Sequence, residues 1–240
     1  MSASHALHSV PDPPSNRATI EACTLLNALE PSERMRLASE CFSAFAEKGE
    51  SIWFAGAPAD FAAVVGTGFV KMTKLCPNGQ EVALELLGPG QCFGVMAAIE
   101  GRPVPLSAYA VTNCWYLKVP TNCLLALYHR SEALKDRIVR TIGPRLRKAH
   151  DMISRLSSGR VEERLAAVLF ILADSFGTQD NQGLHLQVPL TRQDLAEMAG
   201  TTVETTIRIM SRWQKEGLVC TEHQAITIID PESLSKSVHR

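Results

Sequence analysis

The spacing of apolar residues in this chain changes character at Pro120, and that change limits the folds open to it. Between Lys48 and Val119, short stretches (SIWF, FAAVV, FVKMTKL, EVALELL, CWYLKV) are separated by the turn-forming GAP, GTG, PNGQ, GPGQ and EGRP. Brief apolar runs bounded by Gly, Pro and Asn read as strands. Asn78-Gly79 between two of them asks for a hairpin, because a tight primed turn needs positive φ at both central residues. The expectation is a compact antiparallel barrel or roll. From Pro120 almost to Gly177 the spacing is helical instead. Strands followed by helices indicate an α+β chain rather than an alternating α/β one.

The flanks fit this division. Residues 1–20, MSASHALHSVPDPPSNRATI, read as a flexible arm without the basic start and apolar core of a secretory signal. From Thr24 to Ala46 leucines and alanines recur at helical spacing, with a fresh helix start at Pro31-Ser32-Glu33. Beyond the strands, Leu134, Ile138, Ile142, Leu146, Ala149, Ile153 and Leu156 step by 4, 4, 4, 3, 4 and 3. The later steps keep the 3.5-residue period of a two-stranded coiled coil, so these residues are the candidate dimer contacts, the alternative being a helix packed on its own domain. Gly143-Pro144 predicts a kink or a break within it. Ser157-Ser158-Gly159 reads as a hinge. The domains expected are the arm at 1–20, a β-roll at 21–130, a dimerisation helix at 131–158 and a second globular unit at 159–240.

Charge and cysteine content exclude several classes. Residues 1–129 carry 8 basic and 11 acidic side chains and residues 130–240 carry 16 and 14, so the formal charge of −1 conceals a basic second half. This permits nucleic-acid binding there without requiring it. The seven cysteines, 23, 41, 76, 92, 114, 123 and 220, are scattered and form no CxxC pair, which argues against a disulfide framework or a structural metal. No apolar run approaches the roughly 18 residues needed to span a bilayer, so no membrane is expected and the cytoplasm is the expected location. GxSxG, P-loop, HExxH and post-strand GxGxxG patterns are absent, and the chain is not expected to be an enzyme.

The second globular unit carries the chemistry. RVEERLAAVLFILADSFG is an amphipathic helix; a polar loop TQDNQG and a strand LHLQVPL follow; then come two short helices, TRQDLAEMAG and TTVETTIRIMSRWQKEG, and a ribbon LVCTEHQAITIID. That order is a winged helix-turn-helix. Thr202 is placed to cap a recognition helix over 202–216. Thr206, Ile209, Met210 and Trp213 then form its buried stripe, and Glu204, Thr205, Arg208 and Arg212 lie opposite. Arginine matches the O6 and N7 acceptors of guanine, and glutamate accepts from the amino group of cytosine. An ordinary surface ion pair between Glu204 and Arg208 is the plainer alternative. Thr191 and Asp194 suggest a capping box, and Arg192 and Gln193 at the same helix start suit a DNA phosphate.

With TRQDLAEMAGTTVETTIRIMSRWQKEGLV at 191–219, and KGESIWFAG, GTGFVKMTKLCPNGQEVALELLGPGQCFG and SAYAVTNCWYLKVP upstream, the chain resembles the superfamily of the cyclic-AMP receptor protein and the fumarate and nitrate reduction regulator (Crp/Fnr) over residues 24 to 230. The resemblance implies an N-terminal cyclic-nucleotide-binding-like β-roll, a long dimerisation helix and a C-terminal winged helix-turn-helix. It also implies a homodimer on two-fold DNA sites that activates or represses transcription with RNA polymerase. On this resemblance Glu204 and Arg208 read a TGA-like core, Arg192 and Gln193 hold phosphates, and Ile207 stands where many oxygen- and nitric-oxide-responsive members have serine. An isoleucine there can touch a thymine methyl.

The sensor departs from two patterns of that superfamily. Cyclic-nucleotide binders resemble a cradle of FGE with an arginine-serine pair, whereas this chain has Phe93-Gly94-Val95 and Leu106-Ser107. A phosphate buried without its arginine loses a bidentate, charge-assisted contact, so cyclic AMP is not expected. Cys23 stands alone until Cys41, and a four-iron cluster (4Fe-4S) is not expected either. Phe93, Val95, Met96, Leu106 and Ser107 are the candidate pocket. Its apolar character leaves open haem with NO, CO or O2 sensing (His5, His8, Cys92 or Met96 as axial ligands), a hydrophobic effector, cysteine oxidation at Cys76 near Lys74, or a filled roll acting without ligand.

Overall fold

The computed structural model describes residues 12–77, 79–158, 160–222 and 225–237. Its first helix, α1 (Asn16–Ala22), is capped by the Ser15 hydroxyl, which accepts from the Ala18 amide at 3.2 Å. The Asn16 side chain donates to the carbonyls of Ala38 and Cys41, and Ile20 and Cys23 are fully buried. The expected arm therefore does not reach residue 20; residues 1–11 lie outside the described residues. Helix α2 (Pro31–Glu40) starts at Pro31 as read from the sequence. The helical spacing expected up to Ala46 fails beyond it. Phe42–Ala46 is strand β1, because cross-strand pairing with residues 114–118 overrides the helix preference of its alanines.

The roll consists of β1, β2 (Ser51–Trp53), β3 (Phe61–Thr67), β4 (Val70–Leu75), β5 (Glu81–Leu87), β6 (Cys92–Phe93), β7 (Ser107–Ala110) and β8 (Cys114–Pro120), with α3 (Val95–Glu100) between β6 and β7. They form two antiparallel sheets in the orders β1-β8-β3-β6 and β2-β7-β4-β5. Ala63, Val65 and Phe93 of the first face Val70, Met72 and Leu87 of the second across a common core. The alternate residues Ala62, Val64, Leu117 and Val119 pack under α1, α2, α4 (Thr121–Arg130) and α5 (Glu132–Ser158). Burial on both faces is why FAAVV is continuously apolar instead of alternating.

The β4–β5 hairpin is present, but its turn is longer than the two-residue form. The Cys76 amide donates to the Gln80 carbonyl and the Gly79 amide to the Cys76 carbonyl, leaving three residues in the loop, with Gly79 at φ +80°. Asn78 lies outside the described residues. The long helix α5 runs unbroken through Pro144, so of the two outcomes expected there, a kink or a break, the break does not occur.

The C-terminal unit contains α6 (Val161–Phe176), β9 (Gly177–Asp180), β10 (Gly183–Leu186), α7 (Arg192–Ala199), α8 (Val203–Lys215), β11 (Val219–Glu222), β12 (Ala225–Ile228) and α9 (Pro231–Ser237). The segment read as a polar loop, TQDNQG, is mostly strand, since Gly177–Asp180 pairs with Gly183–Leu186 as a hairpin on the edge of a sheet ordered β11-β12-β10-β9. An edge strand with one exposed face needs few apolar residues, which hid it. Leu165, Leu169, Leu172, Leu195, Trp213 and Ile228 form the core of this unit. Among the described residues no helix is long and apolar enough to cross a membrane.

Candidate nucleic-acid interface and effector cavity

Helix α8 is built as its threonines require. The Thr202 hydroxyl accepts from the Thr205 amide at 3.3 Å, capping the helix, and donates to the Thr205 hydroxyl at 3.2 Å. The buried Thr206 hydroxyl returns to the Thr202 carbonyl at 3.1 Å. Thr206, Ile209, Met210 and Trp213 are 0%, 3%, 1% and 0% exposed, so the anchoring stripe is complete. On the opposite side Glu204, Ile207 and Arg208 are exposed. The Glu204 carboxyl sits below the usual range because its own amide, in the first helical turn, and the Thr202 hydroxyl favour the anion. One turn apart, a hydrogen-bond acceptor and a five-donor fork thus face solvent from a rigid support.

The preceding turn is equally well determined. Gly200 ends α7 in the left-handed region at φ +60°, where a side chain is disfavoured. Arg164 of α6 donates to the carbonyls of Ala199 and Gly200 at 2.9 and 3.1 Å. Those carbonyls would otherwise be unpaired at the helix end. Arg164 thereby ties α6 to the turn between α7 and α8.

Three residues expected at the interface are engaged within the chain. Arg192 donates to the Thr221 hydroxyl at 3.0 Å with one of its five N–H groups, and Gln193 donates to the Glu197 carboxylate at 2.8 Å, so each has a partner within the chain. Arg212 is 2.7 Å from Glu162 and 3.7 Å from Glu216, which compensates its charge. Glu162 also raises the pKa of Arg212, chiefly through their hydrogen bond.

Lys71 and Glu162 were not anticipated. Lys71 of β4 reaches Asp194 at 3.0 Å and Glu197 at 2.6 Å, tying α7 to the roll through a triad whose side chains are 17%, 11% and 9% exposed. Burial pulls the Lys71 ammonium down, and its bonds to Glu197 and Asp194 more than offset this, leaving its pKa raised. Burial pushes the Asp194 carboxyl up, and its bonds from Thr191 and Lys71 outweigh that, leaving it lowered. Leu86 of β5 and Phe69 join the apolar core of the C-terminal unit on the same side. An outward lysine on an alternating strand reads as solvated, and nothing nearby in sequence announces a helix 120 residues later.

Along α5 the seven expected dimer contacts divide between two faces. Leu134 and Ile138 are 0% and 5% exposed and belong to the roll core, so they are spent within the protomer. Ile142 packs partly on that core; Leu146 is 53% exposed and Ala149 is exposed. The side chains of Ile153 and Leu156, like the hinge residue Gly159, lie outside the described residues. Val139, which sequence reasoning missed, is 69% exposed. Continued upstream from Leu156, steps of 3 and 4 lead to Val139 and not to Ile138, and that strict alternation was the available signal.

Between the roll and α5 lies a cavity of about 270 Å³. Phe93, Val95, Met96 and Leu106 line it as expected, together with Trp53, Met72, Val104, Ile138 and Ile142. Ser107 is elsewhere: its hydroxyl accepts from the Ala55 amide at 3.0 Å. Gly94, at φ +77°, admits the Trp53 ring, which a Cβ would meet at 2.9 Å. The polar end was also missed. Arg145 Nε is 3.0 Å from Glu85 Oε1, and Arg145 Nη2 donates to the Cys92 carbonyl at 3.1 Å. Arg145 follows Ile138 by seven and Ile142 by three, so helical spacing alone puts it on the roll-facing side.

The described wall includes no histidine for a haem, and of the axial ligands expected only Met96 and Cys92 line it. Cys92 shares a hydrogen bond with the neighbouring free Cys23 thiol and is buried, which together push its pKa well up. His5 and His8 lie outside the described residues. Among the described residues no three His, Cys, Asp or Glu side chains gather as a metal site.

Comparison with known proteins agrees with this architecture. A family model for the cyclic nucleotide-binding domain matches residues 44–131, and one for the Crp-like helix-turn-helix domain matches residues 163–237. The chain is 24% identical over 212 residues to the CRP-like cAMP-activated global transcriptional regulator of Mycobacterium tuberculosis, covering 88% of this chain and 95% of the relative. It is 27% identical over 189 residues to the fumarate and nitrate reduction regulatory protein of Salmonella typhi, covering 79% and 75%. The solved structure of FixK2 from Bradyrhizobium japonicum superposes with a TM-score of 0.72 at 22% identity, over 82% of this chain and 96% of that one. The chain belongs to the Crp/Fnr superfamily of transcriptional regulators.

Proposed function

We propose that this regulator is a homodimer that reads two-fold, TGA-like half-sites in double-stranded DNA with α8, acting on transcription with RNA polymerase in the cytoplasm, and that it catalyses no reaction. The observation that carries the reading is the division of α8: Thr206, Ile209, Met210 and Trp213 are buried while Glu204 and Arg208 stand exposed one turn apart. Arg208 takes the O6 and N7 of guanine, Glu204 accepts from cytosine N4, and Ile207 meets a thymine methyl. The strict 3 and 4 stepping from Val139 to Leu156 supports pairing of two copies through α5. Two-fold pairing then sets half-sites roughly 34 Å apart along the duplex. The β-roll adjusts this activity in response to a cavity occupant other than cyclic AMP, haem or an iron-sulfur cluster.

Titration of the full chain on a palindromic TGA-containing duplex and on its scrambled counterpart, at one fixed salt concentration, tests the proposal. Specific regulators prefer their sites by about 10³-fold or more. Equal affinity for the two duplexes refutes it.

A further inference from the structure

We propose that the cavity between the roll and α5 takes a small, uncharged and largely apolar molecule bearing one hydroxyl or carbonyl group. The inference deepens the reading of the roll as an effector domain and rests on it. Most of the wall is hydrocarbon, sulfur and ring: Trp53, Met72, Phe93, Val104, Leu106 and Ile142. Two lining side chains carry charge, Glu85 and Arg145, and they neutralise each other at 3.0 Å. Another guanidinium nitrogen is held by the Cys92 carbonyl.

That closed pair decides the charge of the occupant. An anion entering beside Arg145 meets the Glu85 carboxylate and gives up water for a guanidinium whose charge that carboxylate already balances. A cation entering beside Glu85 meets Arg145. The pair is 35% exposed on each side, so solvent tempers the cost, but in either case a charge that enters the apolar part of the cavity gives up water without gaining an unshared counter-ion. A neutral molecule has no such cost. Its hydroxyl or carbonyl can address the rim of the pair or Thr141, whose hydroxyl donates to the Arg137 carbonyl at 2.8 Å and can still accept. The volume, near the lower end of the roughly 300–1,000 Å³ usual for ligand sites, favours a compact ring system over a nucleotide.

Two probes of one skeleton and different charge, 1-naphthalenemethanol and 1-naphthoate, test this on the full chain by calorimetry, with the Leu106→Trp protein marking the location. The neutral probe is expected to bind once per protomer, at least about tenfold more tightly than the carboxylate. Glu85→Gln leaves Arg145 uncompensated and is expected to bring the two affinities within about threefold of each other. Leu106→Trp, filling the cavity, is expected to abolish binding of the neutral probe. The proposal is overturned if neither probe binds, if the wild-type protein prefers the carboxylate or treats both alike, if Glu85→Gln leaves the ratio unchanged, or if a folded Leu106→Trp protein still binds. The wild-type comparison stands even if a variant misfolds. Operator titration on the same samples separates the two readings: intact discrimination of operator from scrambled DNA without probe binding removes only this inference, and probe binding without discrimination removes only the proposed function.

Discussion

Helices α8 and α5 are both amphipathic and both leave side chains exposed on one face, yet they divide their surfaces differently. α8 has one buried stripe and one polar face, so Ile209, Met210 and Trp213 all enter a single core with Thr206 buried beside them, while Glu204, Ile207 and Arg208 opposite stay exposed. α5 carries two apolar stripes. One, through Leu134 and Ile138, packs on the protomer's own roll and ends at Arg145 over the cavity; the other, through Val139 and Leu146, is exposed. A single stripe can be assigned from spacing alone. Two adjacent stripes merge into a broad pattern whose members cannot be sorted without knowing what lies on each side.

The largest effects should come from separating those two stripes. Leu134→Ala removes a fully buried side chain and is expected to destabilise the protomer by about 2–5 kcal/mol in denaturant titration, while the protein remains dimeric below its melting temperature. Leu146→Glu places like charges against each other across the proposed dimer contact. It is expected to yield monomers in analytical ultracentrifugation without lowering protomer stability, and to weaken operator binding by about 100-fold or more, because each copy then binds one half-site alone. If Leu134→Ala dissociates the dimer, or Leu146→Glu unfolds the protomer, the division of α5 is wrong.

On α8 the corresponding change is Arg208→Ala. It is expected to cost about 1–3 kcal/mol on the operator and to relax discrimination at the guanine, with little change on scrambled DNA. Equal losses on both duplexes would reduce Arg208 to a phosphate contact and end the contrast between a reading face and a packing face.

This contrast also explains what the sequence made legible. The winged helix was readable because its signals are local: Thr202 caps, Thr191 and Asp194 form a box, and one stripe repeats over thirteen residues. The roll was legible as a set of strands, but β1 was obscured by its alanines and β9 by its polarity, since both are strands only because a distant or neighbouring partner pairs with them. Half of the cavity was found from Phe93, Val95, Met96 and Leu106. Its charged end was not, because Glu85 and Arg145 are sixty residues apart and their meeting is a property of the fold. The Lys71 triad escaped for the same reason. Arg192, Gln193 and Arg212 were placed on the correct elements, but their partners within the chain were not foreseeable from helix position.

Tying α7 to the roll should have a pH signature of its own. Asp194, with its pKa lowered, contributes stability above the ordinary carboxylate range that is lost as pH falls through its folded value. Lys71, with its pKa raised, contributes below the ordinary lysine range and loses this only as pH rises through its folded value. Contact between the two units is therefore expected to hold unchanged from roughly pH 5 to pH 9 and to weaken below about pH 4. Protection of α7 amides from hydrogen exchange, corrected for intrinsic rates, reports this directly, and Lys71→Met should diminish it throughout that window. Protection that varies strongly near neutral pH would mean that another group governs the contact.

The smallest effect concerns Arg212, whose neighbour Arg208 on the same helix has the same charge and a different setting. Because Glu162 and Glu216 already compensate Arg212, Arg212→Ala is expected to change DNA affinity by less than about 1 kcal/mol on any duplex. Glu162→Gln supplies the sharper test. Removing the carboxylate 2.7 Å away frees the guanidinium for a phosphate, so affinity should rise on operator and scrambled DNA alike, and the dependence of log K on log salt should steepen by about one. A rise confined to the operator would make Arg212 a base-reading residue and would move the boundary of the reading face one turn further along α8.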